Sequence, residues 1–170
     1  INVGLIHRVF PNSKFILALR HPYDCTLSCF MQDFVLNDAM ANFFTLQQSA
    51  ELYNATMFLW KSYNSALNMQ VCKLKYEDLI LDLQGTVEPL LNFLGLDWND
   101  NLLNYQQTAL SRERIHTPSY YQVTQSLYKQ AEGRWRNYQE KMEEVVSLLE
   151  PWVNEFEYQA VLQNQPNHPR

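Results

Sequence analysis

The sequence predicts an α/β domain with a parallel sheet, and three observations support this class. Two short runs rich in apolar residues, 14–20 and 71–76, have the length of strands, and residues that favour a helix follow each run. The first run is apolar on both faces, which is typical of parallel strands covered by helices. Strands that alternate with helices indicate an α/β layered architecture.

The N-terminal elements follow from hydrophobic periodicity and from prolines. Residues 2–10 are predicted as an amphipathic helix that ends at Pro11, and residues 22–34 as a helix with Pro22 in its first turn. A single long helix is expected over 43–68. Its core-facing stripe would consist of residues at three- and four-residue steps, namely Leu52, Thr56, Leu59, Tyr63 and Ala66.

The part after the second strand is predicted to be rich in helix. A short helix would run to Leu94, with Pro89 near its first turn and Gly95 as its C-terminal cap. Region 98–127 has weak periodicity and predicts a short helix followed by a long ordered loop. A last helix is expected over 134–158, kinked or interrupted at Pro151. One side of it would carry Tyr138, Val145, Leu148, Leu149, Trp152 and Phe156.

Composition restricts the class of protein. The 170 residues are 46% hydrophobic, which suits one domain with a sizeable core, and we assign residues 1–160 to it and 161–170 to a polar tail. The net charge of −5 argues against nucleic acid as a partner. No apolar run reaches the length of a membrane span. The three cysteines are too few for a disulfide framework, which favours reduced thiols and a cytoplasmic location, and no metal-ligand spacing is visible.

Residues 14–28 carry the most specific signal. Arg20 ends the first strand, where open α/β sheets bind their ligands, and Ser28 lies about a turn and a half into the next helix. A guanidinium and a hydroxyl so placed can hold one phosphate. An ordinary strand–helix turn with an ion-paired arginine would use the same residues, so this geometry alone leaves both interpretations open.

The spacing Arg20-x-Pro-x-Asp-x-x-x-Ser28 resembles the 3′-phosphate-binding motif of sulfotransferases, which use 3′-phosphoadenosine-5′-phosphosulfate (PAPS). Residues 10–22 are similar to bacterial sulfotransferases often fused to tetratricopeptide repeats, and more distantly to tyrosylprotein sulfotransferases. Similarity continues through Leu74-Lys-Tyr-Glu-Asp-Leu79, Phe93-Leu-Gly-Leu96 and Gly133-Arg-Trp-Arg136. The resemblance covers roughly residues 3–158.

This resemblance implies a P-loop-like layered fold and a nucleotide site for PAPS or its product without a metal. Arg20 and Ser28 correspond to ligands of the 3′-phosphate, and Tyr76 to a tyrosine near the nucleotide phosphate. The segment 119–128 resembles a loop over the adenosine, and cations follow it at 129 and 134. The implied cofactor-binding residues are Arg20, Ser28, Tyr76, Ser119, Gln122, Val123, Tyr128, Lys129 and Arg134.

The family also uses a Gly-rich turn around the 5′-phosphosulfate, and none of the four glycines lies in such a turn. Two strands are also too few for a domain of this size. We therefore expect the chain to correspond to the C-terminal half to two-thirds of a sulfotransferase domain. The N-terminal strand, the P-loop and the catalytic residues, together with any tetratricopeptide repeats, would lie upstream of Ile1.

The resemblance implies sulfuryl transfer to a hydroxyl or amine of a peptide, carbohydrate or small molecule. A bacterial-like cytoplasmic location is favoured over a Golgi-like lumen, and a homo-oligomer is possible. Two alternatives remain open, a kinase-like transferase of the P-loop fold and a non-catalytic interaction module. The Arg20/Ser28 pair discriminates against a kinase, because kinases have no 3′-phosphate to bind.

Overall fold

The computed structural model describes residues 2–35, 37–104 and 132–158, and within them two parallel strands form a sheet. Strand β1 (Lys14–Leu19) pairs with β2 (Gln70–Lys75), so that Leu19 lies opposite Lys75. Both predicted strands are confirmed to within one residue. Because the pairing is in register, the two carboxyl ends lie side by side, and the chain leaves them at Arg20 and Tyr76.

Seven α-helices and four short 3₁₀ segments accompany these strands within the described ranges. The α-helices are α1 (Val3–Val9), α2 (Pro22–Met31), α3 (Leu46–Ala66), α4 (Tyr76–Leu81), α5 (Leu83–Leu94), α6 (Gln139–Met142) and α7 (Val146–Glu155). The 3₁₀ segments are Met40–Phe43, Asp100–Asn104, Arg134–Tyr138 and Glu143–Val145. The mixed, helix-rich architecture with a parallel sheet agrees with the predicted α/β class.

The first three helices are confirmed with changes at their ends. Helix α2 starts with Pro22 at its first position, as predicted, but it ends three residues before 34. The expected single helix over 43–68 is wrong at its start, because the Thr45 hydroxyl accepts a hydrogen bond from the Gln48 amide (3.1 Å) and begins a new helix there. Met40–Phe43 is a separate 3₁₀ turn.

The predicted core-facing stripe of α3 is also wrong. The buried positions of this helix are Leu46, Ser49 and Ala50, and Tyr53 packs half-buried against the same core. The predicted residues lie one position away from this face. Four of them are only half-buried, and the fifth, Ala66, is exposed. Periodicity locates the apolar side of a helix, but the direction of the packing partner decides which edge of that side is buried.

The segment after β2 differs from the prediction in two ways. Tyr76 does not close the strand but begins α4. Asp82 then accepts a hydrogen bond from the Gly85 amide (2.9 Å) and starts a second helix, α5, in which Pro89 lies in the interior rather than the first turn. Gly95 is confirmed as the C-terminal cap: its φ of +78° is in the left-handed region that glycine adopts without strain.

The predicted last helix is divided into four short pieces between Arg134 and Glu155. The interruption occurs at Glu143–Val145, whereas the exposed Pro151 lies inside α7 without ending it. The predicted apolar side is largely confirmed. Val145, Leu149, Trp152 and Phe156 are buried, and Leu148 packs beside them, whereas Tyr138 is exposed.

The core lies between α2, α3 and the C-terminal helices rather than over both faces of the sheet. Its members are Tyr23, Leu27, Leu46, Ala50, Trp135, Met142, Val145, Leu149 and Val153, with a second cluster of Leu19, Trp152 and Phe156 beside it. The expected coverage of β1 on both faces is wrong, because burial alternates along it and Ile16 is 46% exposed. No helix among the described residues has the length and apolarity needed to cross a membrane.

Candidate functional site

The carboxyl ends of the two strands bring two of the candidate residues into contact. The guanidinium carbon of Arg20 lies 5.7 Å from the centroid of the Tyr76 ring. This distance is within the range of a cation–π interaction, which holds the guanidinium against the aromatic face. Two residues that are distant in the sequence thus meet at the edge of the sheet where α/β proteins bind ligands.

Arg20 also affects two thiols of α2, the helix that carries Ser28. A hydrogen bond with Cys29 and burial raise the pKa of the Cys25 thiol, and the Arg20 guanidinium opposes this rise. The hydrogen bond from Cys25, and then the charge of Arg20, lower the pKa of Cys29. Ser28 is half-buried and follows Cys25 by three residues, so the two are neighbours on the helix surface. The charge of Arg20 therefore acts on two thiols that neighbour Ser28 in α2.

Asp24 joins this turn to a segment far away in the sequence. Its carboxylate accepts hydrogen bonds from the backbone amides of Gly133 (2.6 Å) and Trp135 (2.9 Å). These two residues flank Arg134, whose side chain is exposed. Burial raises the pKa of the Asp24 carboxyl, while the two amides and then Arg20 act in the opposite direction. Asp24 thus holds the backbone on both sides of Arg134 against α2, the helix that carries Ser28.

Trp135 is part of the core. It is fully buried, its ring lies 5.3 Å from His21 and 4.9 Å from Tyr23, and it belongs to the larger core cluster. Its full burial makes Trp135 a core residue rather than a platform for an adenine ring. His21 is itself buried in this aromatic stack, on the N-terminal side of α2.

Glu77 forms the second carboxylate junction of the site. One of its oxygens accepts a hydrogen bond from the backbone amide of His21 (2.8 Å), and the other accepts one from the hydroxyl of Tyr158 (2.9 Å). Burial and the negative charge of Glu77 raise the pKa of Tyr158. The Glu77 side chain, directly after Tyr76, therefore holds two distant parts of the chain together. One is His21, directly after Arg20, and the other is Tyr158, the last described residue.

Four of the nine predicted site residues can be compared with the structure. Arg20 and Tyr76 are in contact, Ser28 is half-buried on α2, and Arg134 lies in a segment bound to that helix. The other five lie outside the described residues: Ser119, Gln122, Val123, Tyr128 and Lys129.

Sequence reasoning missed the two carboxylates that hold these residues in place. Asp24 and Glu77 both occur inside the motifs that carry the resemblance, but no role was assigned to them. The available signal was their position shortly after predicted strands. A carboxylate at a strand end that is covered by helices requires hydrogen-bond donors, because an unpaired buried charge is costly.

An acidic cavity of about 320 Å³ lies beside the candidate residues and is distinct from them. His21 and Glu77 line it, whereas Arg20 and Tyr76, the residues that precede them in the chain, do not. Five carboxylates and two cations line its walls, so acidic side chains predominate there. Among residues 2–35, 37–104 and 132–158, no group of three or more His, Cys, Asp or Glu side chains is arranged to hold a metal ion.

Comparison with known proteins identifies the family. The family model described as "Sulfotransferase family" matches residues 2–100, more than half of the chain, and this range includes β1, β2 and the Arg20–Tyr76 contact. An uncharacterized protein of Aquifex aeolicus (strain VF5) is 27% identical over 156 residues, which cover 91% of this chain and 20% of that protein. The chain thus spans about a fifth of the length of this relative. It belongs to the sulfotransferase family, whose general reaction is sulfuryl transfer.

Proposed function

We propose that this chain contributes the 3′-phosphate and adenosine side of a PAPS site in an enzyme that transfers a sulfuryl group to an acceptor hydroxyl or amine. In this proposal Arg20, Ser28 and Arg134 bind the 3′-phosphate, and Tyr76 lies near the nucleotide phosphates. The adenosine would contact the segment 119–129. The observation that carries the proposal is the contact of Arg20 with Tyr76 at the carboxyl ends of two parallel strands, beside the helix that bears Ser28.

The reaction requires more than these residues. The acceptor oxygen or nitrogen attacks the sulfur, the bond from sulfur to the 5′-phosphate oxygen breaks, and the acceptor proton passes to a base. Adenosine 3′,5′-bisphosphate leaves. The sequence contains no Gly-rich turn for the 5′-phosphosulfate, so we propose that this turn and the base come from residues outside the 170, within a P-loop-like fold. Binding of the remote 3′-phosphate would supply energy for orienting the reacting groups.

The finer assignments belong to the same proposal. The motifs favour the branch of bacterial enzymes linked to tetratricopeptide repeats, with tyrosylprotein sulfotransferases as more distant relatives. A cytoplasmic enzyme that acts on a peptide, carbohydrate or small molecule, as a monomer or a homo-oligomer, is consistent with the charge and composition of the chain. A kinase-like transferase is the second candidate, and its nucleotide would lack a 3′-phosphate.

Calorimetry with the purified protein tests the nucleotide. Adenosine 3′,5′-bisphosphate should bind more tightly than AMP or ADP, because only this nucleotide reaches Arg20 and Ser28 with a 3′-phosphate. Arg20→Ala should weaken its binding by about 1.5–3 kcal/mol, the usual contribution of a hydrogen bond to a charged group, and should leave AMP binding nearly unchanged. Equal losses for both nucleotides would refute the assigned role, and a preference for ADP would favour the kinase-like alternative.

Two variants control this experiment. Arg8→Ala removes an exposed arginine from the last turn of α1, and it should change neither nucleotide's affinity. Arg20→Lys keeps the charge but removes the planar fork, so it should recover part of the binding lost in Arg20→Ala. Thermal unfolding of each variant without ligand shows whether the substitution has disturbed the fold.

Ser28→Ala should weaken the binding of adenosine 3′,5′-bisphosphate by about 1 kcal/mol. Because two groups that bind one phosphate are not independent, its effect should shrink in the Arg20→Ala background. Simple additivity in the double-mutant cycle would show that the two residues do not share a ligand. Ser65→Ala, an exposed position on α3, is the matched control.

A further inference from the structure

Asp24 has a geometry that a simple structural tie does not require. It is 1% exposed, and its two oxygens accept from the amides immediately before and after Arg134, at 2.6 Å and 2.9 Å. The residue between two amides that are bound to one carboxylate cannot move relative to α2 without breaking one of these bonds. The position of the Arg134 backbone is therefore set by Asp24.

The helix that supplies Asp24 also supplies the proposed phosphate ligand. Ser28 follows Asp24 by four residues, which places their Cβ atoms about 6 Å apart on adjacent turns of α2. Arg20 lies four residues before Asp24, and its charge opposes the rise that burial causes in the pKa of this carboxyl. The 133–135 segment thus docks on the turn of α2 that lies between the two residues proposed to bind the 3′-phosphate.

The Arg134 side chain is available for a ligand. It is exposed, and it forms no ion pair or hydrogen bond with other residues in the described part of the chain. The arginine two positions further along the segment is engaged differently, since the guanidinium carbon of Arg136 lies 5.7 Å from the Trp135 ring centroid. Asp24 itself is no phosphate ligand, because its negative charge repels phosphate and its oxygens already accept two amide hydrogens.

We propose that Asp24 is a positioning residue that holds Arg134 at the 3′-phosphate. This inference rests on the proposed function. It adds that the preference for a nucleotide with a 3′-phosphate depends on Asp24, a carboxylate that does not contact the nucleotide. The Gly133 backbone contributes to this positioning, because its φ of +66° allows the chain to turn into the segment that Asp24 binds.

The test is the ratio of the affinities for adenosine 3′,5′-bisphosphate and AMP in Asp24→Asn, Arg134→Ala and the double variant. Asparagine has one acceptor oxygen and so can bind only one of the two amides. Asp24→Asn should therefore lower the ratio about tenfold, as should Arg134→Ala. The double variant should be no worse than the single ones, because the asparagine alone already leaves Arg134 without a fixed position. Arg136→Ala is the matched control and should keep the ratio within about twofold.

The outcomes separate the two proposals. A wild-type protein that binds both nucleotides equally overturns the proposed function and this inference with it. A wild-type preference that Asp24→Asn leaves unchanged overturns the inference alone, and so do losses that multiply in the double variant. If Asp24→Asn does not fold, Gly133→Ala provides the same test. It strains the turn at φ +66° and should lower the ratio, and an unchanged ratio in this folded variant also overturns the inference.

Discussion

Replacement of Glu77 by Gln tests the junction between the strand ends and the C-terminal helices. The carboxylate accepts hydrogen bonds from the His21 amide at 2.8 Å and from the Tyr158 hydroxyl at 2.9 Å. Glutamine has nearly the same shape, but it offers one acceptor oxygen and carries no charge. The substitution therefore changes the electrostatics of the junction while it preserves the packing.

The expected loss follows from these two bonds. A hydrogen bond to a charged group contributes about 1.5–3 kcal/mol, and a neutral one about 0.5–1.5 kcal/mol. In Glu77→Gln the oxygen keeps one neutral bond, and the Tyr158 hydroxyl can rotate to accept from the new amide. We therefore expect the free energy of unfolding to fall by about 2 kcal/mol. Tyr158→Phe removes one of the two bonds to the charged carboxylate, so it should cost a similar amount, about 1.5–3 kcal/mol.

The pH dependence gives a second readout. Burial and the charge of Glu77 raise the pKa of Tyr158, and burial is also the main cause of the raised pKa values of Tyr23 and Tyr53. Above the unfolded value near 10, the unfolded chain releases phenol protons that the folded chain retains. The contribution of these tyrosines to the free energy of unfolding is therefore fully present below about pH 10. It falls as the pH rises above this value, by about 1.36 kcal/mol per pH unit for each such tyrosine. Tyr158→Phe should reduce this alkaline slope.

Urea unfolding at neutral pH and at several values above about pH 10 measures both effects. Glu140→Gln, at an exposed position in α6, is the matched control and should change the free energy of unfolding by less than about 0.5 kcal/mol. A Glu77→Gln variant as stable as the wild type would refute the importance of the junction. An unchanged alkaline slope in Tyr158→Phe would refute the retained proton at this residue.

Three further substitutions test the packing and the helix ends. Leu149→Ala, at a fully buried position, should cost about 2–5 kcal/mol in urea unfolding, whereas Leu81→Ala, at a position 71% exposed, should cost far less; similar losses would place the core elsewhere. Gly95→Ala should cost about 1–2 kcal/mol by thermal unfolding, from the φ of +78° alone, because an added Cβ meets no atom within 4 Å; a neutral result would refute the left-handed cap. Asp82→Ala should cost about 1 kcal/mol through loss of the α5 cap, and Asp97→Ala should have no comparable effect on the same thermal transition.

The sequence predicted the strands and the start of α2 well, because these depend on local signals. An apolar run that ends at a cation and a proline at the first helical position require no knowledge of distant residues. The failures concern positions where several local signals compete. The Thr45 cap divides a region that hydrophobic periodicity alone predicts as continuous helix. Asp82 starts α5 earlier than Pro89 indicated, and Pro89 occupies a helix interior that intrinsic propensity disfavours.

The candidate site shows the same division between local and distant information. The Arg20–Ser28 spacing is visible in the sequence because both residues belong to one strand–helix turn. The contact of Arg20 with Tyr76 depends on the register of two strands that are far apart in the chain. The hydrogen bonds that Asp24 accepts span 109 and 111 residues, and no spacing rule connects such positions. Sequence reasoning therefore found the proposed ligands but not the groups that hold them.

At the carboxyl ends of the two strands, residues proposed to bind the nucleotide lie next to residues that anchor the backbone. Arg20 and His21 follow the last residue of β1, whereas Tyr76 and Glu77 begin α4 directly after β2. Arg20 contacts Tyr76, whereas their successors, His21 and Glu77, are bonded to each other and line the acidic cavity. A proposed binding residue is thus followed directly by an anchoring residue at both strand ends. Because the anchors are hydrogen-bonded to each other, the side chains proposed to bind the nucleotide are presented from a backbone that is already fixed, which reduces the entropy lost when the ligand binds.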